Sequence, residues 1–142
     1  MVELFSPFVG ELDLSQIASR IGWEFMKMCK GQVRKPPTEV AKLAVELYSA
    51  IEAAQALVNG KLTADIPGVN TIPPVRRRML IVESTKRDAN VSKYEAIRKY
   101  TLRHSDIVQG IASGKREPTS DELEQLCRHF GSLSLVLVEA GL

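Results

Sequence analysis

Ile111-Ala-Ser-Gly114-Lys-Arg-Glu-Pro118-Thr-Ser-Asp-Glu122-Leu-Glu-Gln-Leu126 has a counterpart 83 positions earlier, Met28-Cys-Lys-Gly31-Gln-Val-Arg-Lys-Pro-Pro-Thr-Glu-Val40-Ala-Lys-Leu43. Each stretch holds an apolar helix end, a glycine, a short basic segment, proline and threonine, and the start of a new helix. With no gap, Phe25 falls on Val108, Met28 on Ile111, Gly31 on Gly114, Val40 on Leu123, Leu43 on Leu126 and Leu47 on Phe130. Two copies are too few for a solenoid, which needs about three or more to bury a continuous core. The repeat instead predicts two small domains of one type, residues 1–60 and 76–142, joined by a proline-rich linker at 61–75. Each would hold roughly 65 residues, a size at which domains fold alone but marginally.

The pattern between the repeated stretches is helical throughout. A short apolar helix interrupted by Pro7 is expected within residues 1–10. Asp13 or Ser15 then caps a helix carrying Leu14, Ile17, Ala18 and Ile21, which ends at Gly22. A second short helix, Trp23 to Lys30, follows a tight turn, and Gly31 sits where a left-handed cap is expected. Pro36-Pro37-Thr38 opens a long helix with Val40, Leu43, Ala44, Leu47 and Ile51 on one stripe, running to Val58 before Asn59-Gly60. A helix over 76–89 turns Met79, Leu80, Ile81 and Val82 inward, and Asn90 caps another that aligns Tyr94, Ile97 and Thr101. His104-Ser105-Asp106 starts a short helix through Ala112 that offers Ile107, Val108 and Ile111 to the core. Thr119 and Glu122 fit a capping box, in which each side chain satisfies the other's free backbone N–H. Leu123, Leu126, Cys127 and Phe130 lie on the helix it opens, and Leu133 to Leu142 is expected to fold back as a separate short helix. No strand is expected, so both halves read as all-α.

Composition narrows the class. A 44% hydrophobic content is ordinary for a soluble globular protein, and no stretch approaches the roughly 20 apolar residues that cross a bilayer. Glu3 and the lack of a basic-then-apolar start speak against a signal peptide, so a cytoplasmic protein without membrane partners is expected. Cys29 and Cys127 lack the company of a metal site and read as small buried hydrophobes. The net charge of +2 hides an asymmetry. Residues 76–116 carry 11 basic and 4 acidic side chains, against 7 and 8 in residues 1–75 and 1 and 5 in residues 117–142. This central block, which includes Arg76-Arg77-Arg78, Lys86, Arg87 and Lys93, is a plausible phosphate footprint and equally a solvated helical face.

Helix, tight turn, short helix, glycine, basic loop, proline and capped helix resembles the helix-turn-helix domain of phage-repressor-like (lambda-repressor-like, Xre-type) proteins. In the second half Asp106-Ile-Val-Gln-Gly-Ile-Ala-Ser-Gly114-Lys-Arg-Glu-Pro118 looks like the end of that family's recognition helix and the loop after it. In the first half the likeness rests on Leu14-Ser-Gln16-Ile-Ala18-Ser-Arg-Ile-Gly22, with a small Ala where the motif helices cross and Gly in the turn. The stretch from Gly22 to Gly31 is about three residues shorter than the family pattern. Arg98 and Leu102 stand in the second half where the first has Ala18 and Gly22.

The resemblance implies two such domains in tandem and a sequence-specific DNA-binding transcriptional regulator, nucleoid-associated and dimeric. Its base-contacting positions fall on Ser105, Asp106 and Gln109, with Lys115, Arg116, Arg103 and Lys99 on phosphate. Asp106 also suits a helix N-terminus electrostatically, whatever it reads. In the first half the readers would be Trp23, Glu24 and Lys27, with Gln16, Lys30, Gln32, Arg34 and Lys35 on the backbone; Trp23 equally suits packing. No phosphate-binding glycine loop, metal-ligand spacing or nucleophile–histidine pair stands out, so neither an enzyme nor a cofactor is expected. The competing expectation is a protein-interaction regulator on the same fold, an antitoxin or anti-activator, with one unit holding a protein partner. Leu133, Leu135, Val136, Leu137 and Val138 supply apolar surface either for a homodimer or for sealing the second domain.

Overall fold

Leu14, Ile17, Ala18, Ile21, Phe25 and Met28 recur at three-and-four spacing, which puts them on one face of a helix, and all six are buried. They belong to α1 (Leu14–Cys29), one uninterrupted helix of 16 residues. The computed structural model describes residues 13–32, 35–58, 68, 71–83 and 87–142, with residues 82, 83 and 87–93 described as backbone only. The expected helix within 1–10, the stop at Asn59-Gly60 and most of the 61–75 linker lie outside the described residues. Among the described residues five further α-helices follow: α2 (Pro37–Val58), α3 (Pro74–Glu83), α4 (Arg87–Thr101), α5 (Ser105–Ala112) and α6 (Ser120–Glu139). A single 3₁₀ turn, Leu102–His104, links α4 to α5. The fold is all-α, with no strand among the described residues.

Local signals place several helix ends. Gly31 and Gly114 both have positive φ, 72° and 75°, and each closes the helix before it. The Thr119 N–H donates to Glu122 Oε1 at 3.0 Å while the Glu122 N–H donates to Thr119 Oγ1 at 3.2 Å, so the capping box forms as expected. Asp13 is the N-cap of α1. Other boundaries differ from expectation. α4 begins at Arg87, so Asn90 lies inside it rather than capping it. α6 runs through Gly131 without a break and absorbs the separate C-terminal helix expected over 133–142. Leu80 is buried, but Met79 and Ile81 stand partly exposed.

The largest departure is Gly22. Instead of turning the chain, it is buried in the middle of α1, against the backbone of α6. A Cβ there would lie 3.2 Å from the Cys127 carbonyl oxygen and 3.2 Å from the Gly131 nitrogen. The missing side chain lets the two helices touch almost backbone to backbone. They run antiparallel: the Ser134 hydroxyl donates to the Ser15 carbonyl at 2.8 Å, and the Ser15 N–H donates to the Leu142 carbonyl at 3.3 Å. Phe25 of α1 stacks on Phe130 of α6 at 5.9 Å, and Tyr48 of α2 stacks on the same ring at 6.2 Å.

The two repeated halves therefore interleave. α1 packs chiefly on α6 and α2 on α5, while α2 also meets α1, α3 and α4. Residues from 1–60 and 76–142 share one continuous buried core rather than forming two. The chain between them joins that core where described: Ile72 is fully buried, and Gly68 lies directly on α2. Cys29 is exposed and Cys127 half-buried, so neither is the buried hydrophobe expected. Desolvation is the main cause raising both thiol pKa values.

Candidate nucleic-acid interface

Val108 and Ile111 turn one side of α5 into the core, which leaves Asp106 and Gln109 on the outer side, both exposed, with Ser105 half-buried at the helix start. The 3₁₀ turn before α5 is held from beneath. Thr101, almost fully buried, donates its hydroxyl to the Ile97 carbonyl at 2.7 Å. His129 of α6 lies against the same turn, 4.7 Å from the His104 ring and 5.3 Å from the Tyr100 ring. Burial, helped by the neighbouring His104, pushes the His129 pKa down to about 4. This imidazole is neutral at physiological pH, and its Nε2 has no hydrogen-bond partner among the described residues.

Basic side chains flank α5 on both sides in sequence. Arg103, in the turn, lays its guanidinium 4.7 Å from the Tyr100 ring centre, and Lys99 projects from the last turn of α4; both are exposed. Beyond α5, the Ser113 hydroxyl donates to the Gly110 carbonyl at 3.0 Å, and Lys115 and Arg116 follow Gly114 into solvent. Arg116 is organised by its neighbours. Its stem passes over Gly110, where a Cβ would sit 3.4 Å from Arg116 Cδ, and its guanidinium pairs with Glu122 of the capping box. A guanidinium carries five donors, so that pairing leaves donors for a phosphate. Ser105, Asp106, Gln109, Lys115 and Arg116 therefore lie along one short helix and its exit loop, with Lys99 and Arg103 just before its start.

The first-half candidates are not gathered in this way. Gln16 is exposed, but its side-chain oxygen accepts the Asp13 N–H at 2.9 Å and so belongs to the helix cap. Lys27 lies 3.9 Å from Glu24 and 5.4 Å above the Trp23 ring. Glu24, expected as a reader, is buried, with Oε2 unpartnered among the described residues. Lys30 is exposed at the end of α1 and Lys35 is half-buried, while Arg34, like Lys86, lies outside the described residues. At 1.5 Å per residue, Gln16 and Lys30 sit about 21 Å apart along α1, too far for one local site. Because α1 is continuous, no turn presents a second reading helix.

Two surface features escaped the sequence. Trp23 is 54% exposed and borders a groove of about 470 Å³ between α1 and α6, lined also by Gln16, Arg20, Met26, Cys127 and Gly131. A cleft of about 360 Å³ lies between the two repeated glycine loops. The 83-residue offset was the available signal for the cleft; nothing local pointed to the groove, which needs two helices brought together. Among the described residues no helix is long and apolar enough to cross a membrane, and no group of three or more His, Cys, Asp or Glu could hold a metal ion. No family model, curated protein or solved structure matches the chain.

Proposed function

We propose that the chain is a sequence-specific DNA-binding transcriptional regulator, nucleoid-associated, that reads double-stranded DNA through one helix-turn-helix: α4, the 3₁₀ turn and α5. The supporting observation is the outer face of α5, where Asp106 and Gln109 are exposed and run directly into Lys115 and Arg116. Gln109 has the paired donor and acceptor that suit adenine, and Asp106 can accept from the cytosine amino group. Lys115, Arg116, Lys99 and Arg103 serve the phosphates on either side. The continuous α1 leaves the first repeat as scaffold rather than second reader.

Selection of bound duplexes from a random pool, followed by titration, tests this. Replacing Lys115 and Arg116 by Ala weakens all sequences about equally, whereas Gln109→Ala relaxes preference at one base pair by about 1–3 kcal/mol. The salt slope of log affinity for the wild type lies near −4 to −5, matching roughly 4–6 neutralised phosphates. If neither set of substitutions alters affinity or preference, α5 is not the reader. A homodimer of the whole chain has exposed Leu135 and Val138 on α6 available to it, since Leu133 and Leu137 are already spent in the core. Sedimentation at micromolar concentration measures that association.

A protein-interaction regulator, an antitoxin or anti-activator, is the second reading. The exposed Trp23 beside the α1–α6 groove favours it, because large aromatics at exposed grooves are common interaction anchors. Trp23→Ala should then abolish partner capture while leaving any duplex affinity intact.

A further inference from the structure

Gln125, Arg128, His129 and Ser132 follow one another at i, i+3, i+4 and i+7, the spacing that puts four side chains on one face of α6. That face looks onto the end of α4 and the 3₁₀ turn, where Tyr100, Arg103 and His104 stand at i, i+3 and i+4. Facing surfaces of packed helices are normally apolar. Here both carry polar side chains, and these seven residues line a cavity of about 240 Å³ between them. The group is tightly gathered. The His129 ring lies 4.7 Å from the His104 ring and 5.3 Å from the Tyr100 ring, and the Arg103 guanidinium lies 4.7 Å from the Tyr100 ring centre.

We propose that this cavity binds a free hydrogen phosphate ion. Charge sets the sign of the ligand. None of the described lining residues is acidic, and two are arginines. Arg103 rests on the Tyr100 ring rather than on a carboxylate among the described residues. Arg128 pairs with Glu124, one turn earlier on α6, and a guanidinium so engaged keeps further N–H donors. The Gln125 amide and the Ser132 hydroxyl, both exposed, add donors beside it. His129 makes the opposite demand. It is 5% exposed, and its Nε2 has no partner among the described residues. A backbone hydrogen bond with Thr101 engages the ring. Since Nε2 is the atom left over, that bond is Nδ1–H donating to the Thr101 carbonyl, and Nε2 is a bare acceptor. The fitting occupant accepts hydrogen bonds from guanidinium and also brings an O–H of its own. Carboxylates, sulfate and the diesters of a duplex backbone supply the negative oxygens but no O–H at neutral pH. Hydrogen phosphate supplies both. At roughly 30 Å³ per water the cavity has room for about eight waters, enough for this ion and part of its hydration shell. The ion would enter whether or not α5 reads DNA.

The test is NMR of the imidazole nitrogens of the full chain at pH 7.5, in phosphate-free buffer held at constant ionic strength. Assignment is simple because the chain has two histidines. Added potassium phosphate is expected to move the His129 Nε2 resonance upfield and saturably, as a bare nitrogen does on accepting a hydrogen bond, with Kd on the order of 1 mM. Sulfate, and dimethyl phosphate standing for a duplex backbone, are expected to bind about tenfold more weakly, because they leave the buried acceptor unpaired. Ser132→Ala, a change at an exposed position, is expected to weaken phosphate about fivefold, and Arg128→Gln about tenfold. His129→Phe, read through His104, is expected to bring phosphate and sulfate to equal affinity, which a purely structural role for the ring would not do. Absence of a saturable shift up to about 50 mM phosphate overturns the proposal. Equal binding of phosphate and sulfate by the wild type also overturns it, by marking a general anion site. Equal binding of dimethyl phosphate does the same, by marking a seat for a duplex backbone.

Discussion

Lowering the pH from 7.5 to 5 should cost this fold about 2 kcal/mol through one imidazole. His129 is 5% exposed, enclosed by Tyr100, His104 and Phe130, with its Nε2 lacking a partner among the described residues. Protonation would bury a new N–H with no acceptor, beside Arg103 and His104. Desolvation, then the charge of His104, and more weakly that of Arg103, hold its pKa down at about 4; a backbone hydrogen bond with Thr101 acts the other way. In the unfolded chain a histidine titrates near 6.5. The unfolded state therefore binds the proton first. Stability is fully present above pH 6.5, falls as the pH drops from there towards 4, and levels off below. At about 1.36 kcal/mol per pH unit, the whole window amounts to roughly 3 kcal/mol, of which about 2 is lost by pH 5. Urea unfolding at pH 7.5 and 5, on the wild type and on His129→Phe, isolates this from carboxylate titration common to both. The phenylalanine keeps the ring packing but cannot take the proton, so its pH dependence should be shallower by about 2 kcal/mol across that interval. Equal pH dependence in the two proteins would refute the argument, as would a native-state titration of His129 near 6.5.

Glycine substitutions test the packing at two other points, read from thermal or urea unfolding. Gly68→Ala should destabilise by about 3 kcal/mol: φ is +81°, and the new Cβ would meet the Ser49 carbonyl at 2.5 Å. An unchanged midpoint would mean that residue 68 does not lie on α2. Gly131→Ala should stabilise by roughly 0.5–1 kcal/mol, since it sits in mid-helix with nothing within 4 Å of the new methyl. A loss of stability there would show that α6 breaks at Gly131.

How much of this was legible beforehand depends on the range of each interaction. The all-α class, the apolar stripes of α1 and α2, the caps at Gly31 and Gly114 and the Thr119–Glu122 box are governed by residues within a turn or two of each other. Periodicity and capping chemistry therefore exposed them. The same holds for α5, whose apolar Val108 and Ile111 already implied an outer face of Asp106 and Gln109. Gly22 misled because glycine satisfies two opposite demands, a left-handed turn or a close helix contact, and only α6 arriving at 3.2 Å distinguishes them. Gln16 looked like a phosphate ligand because a sequence lists donors and acceptors without saying that the Asp13 N–H would claim its side-chain oxygen first. The pairing of α1 with α6 and α2 with α5 lay further out of reach. Two copies of one pattern carry the same kind of apolar face, and hydrophobic burial is non-directional, so either copy can cover itself or its counterpart. The choice between two separate units and one interleaved bundle, and with it the cleft between the glycine loops, was made by shape complementarity among helices distant in sequence.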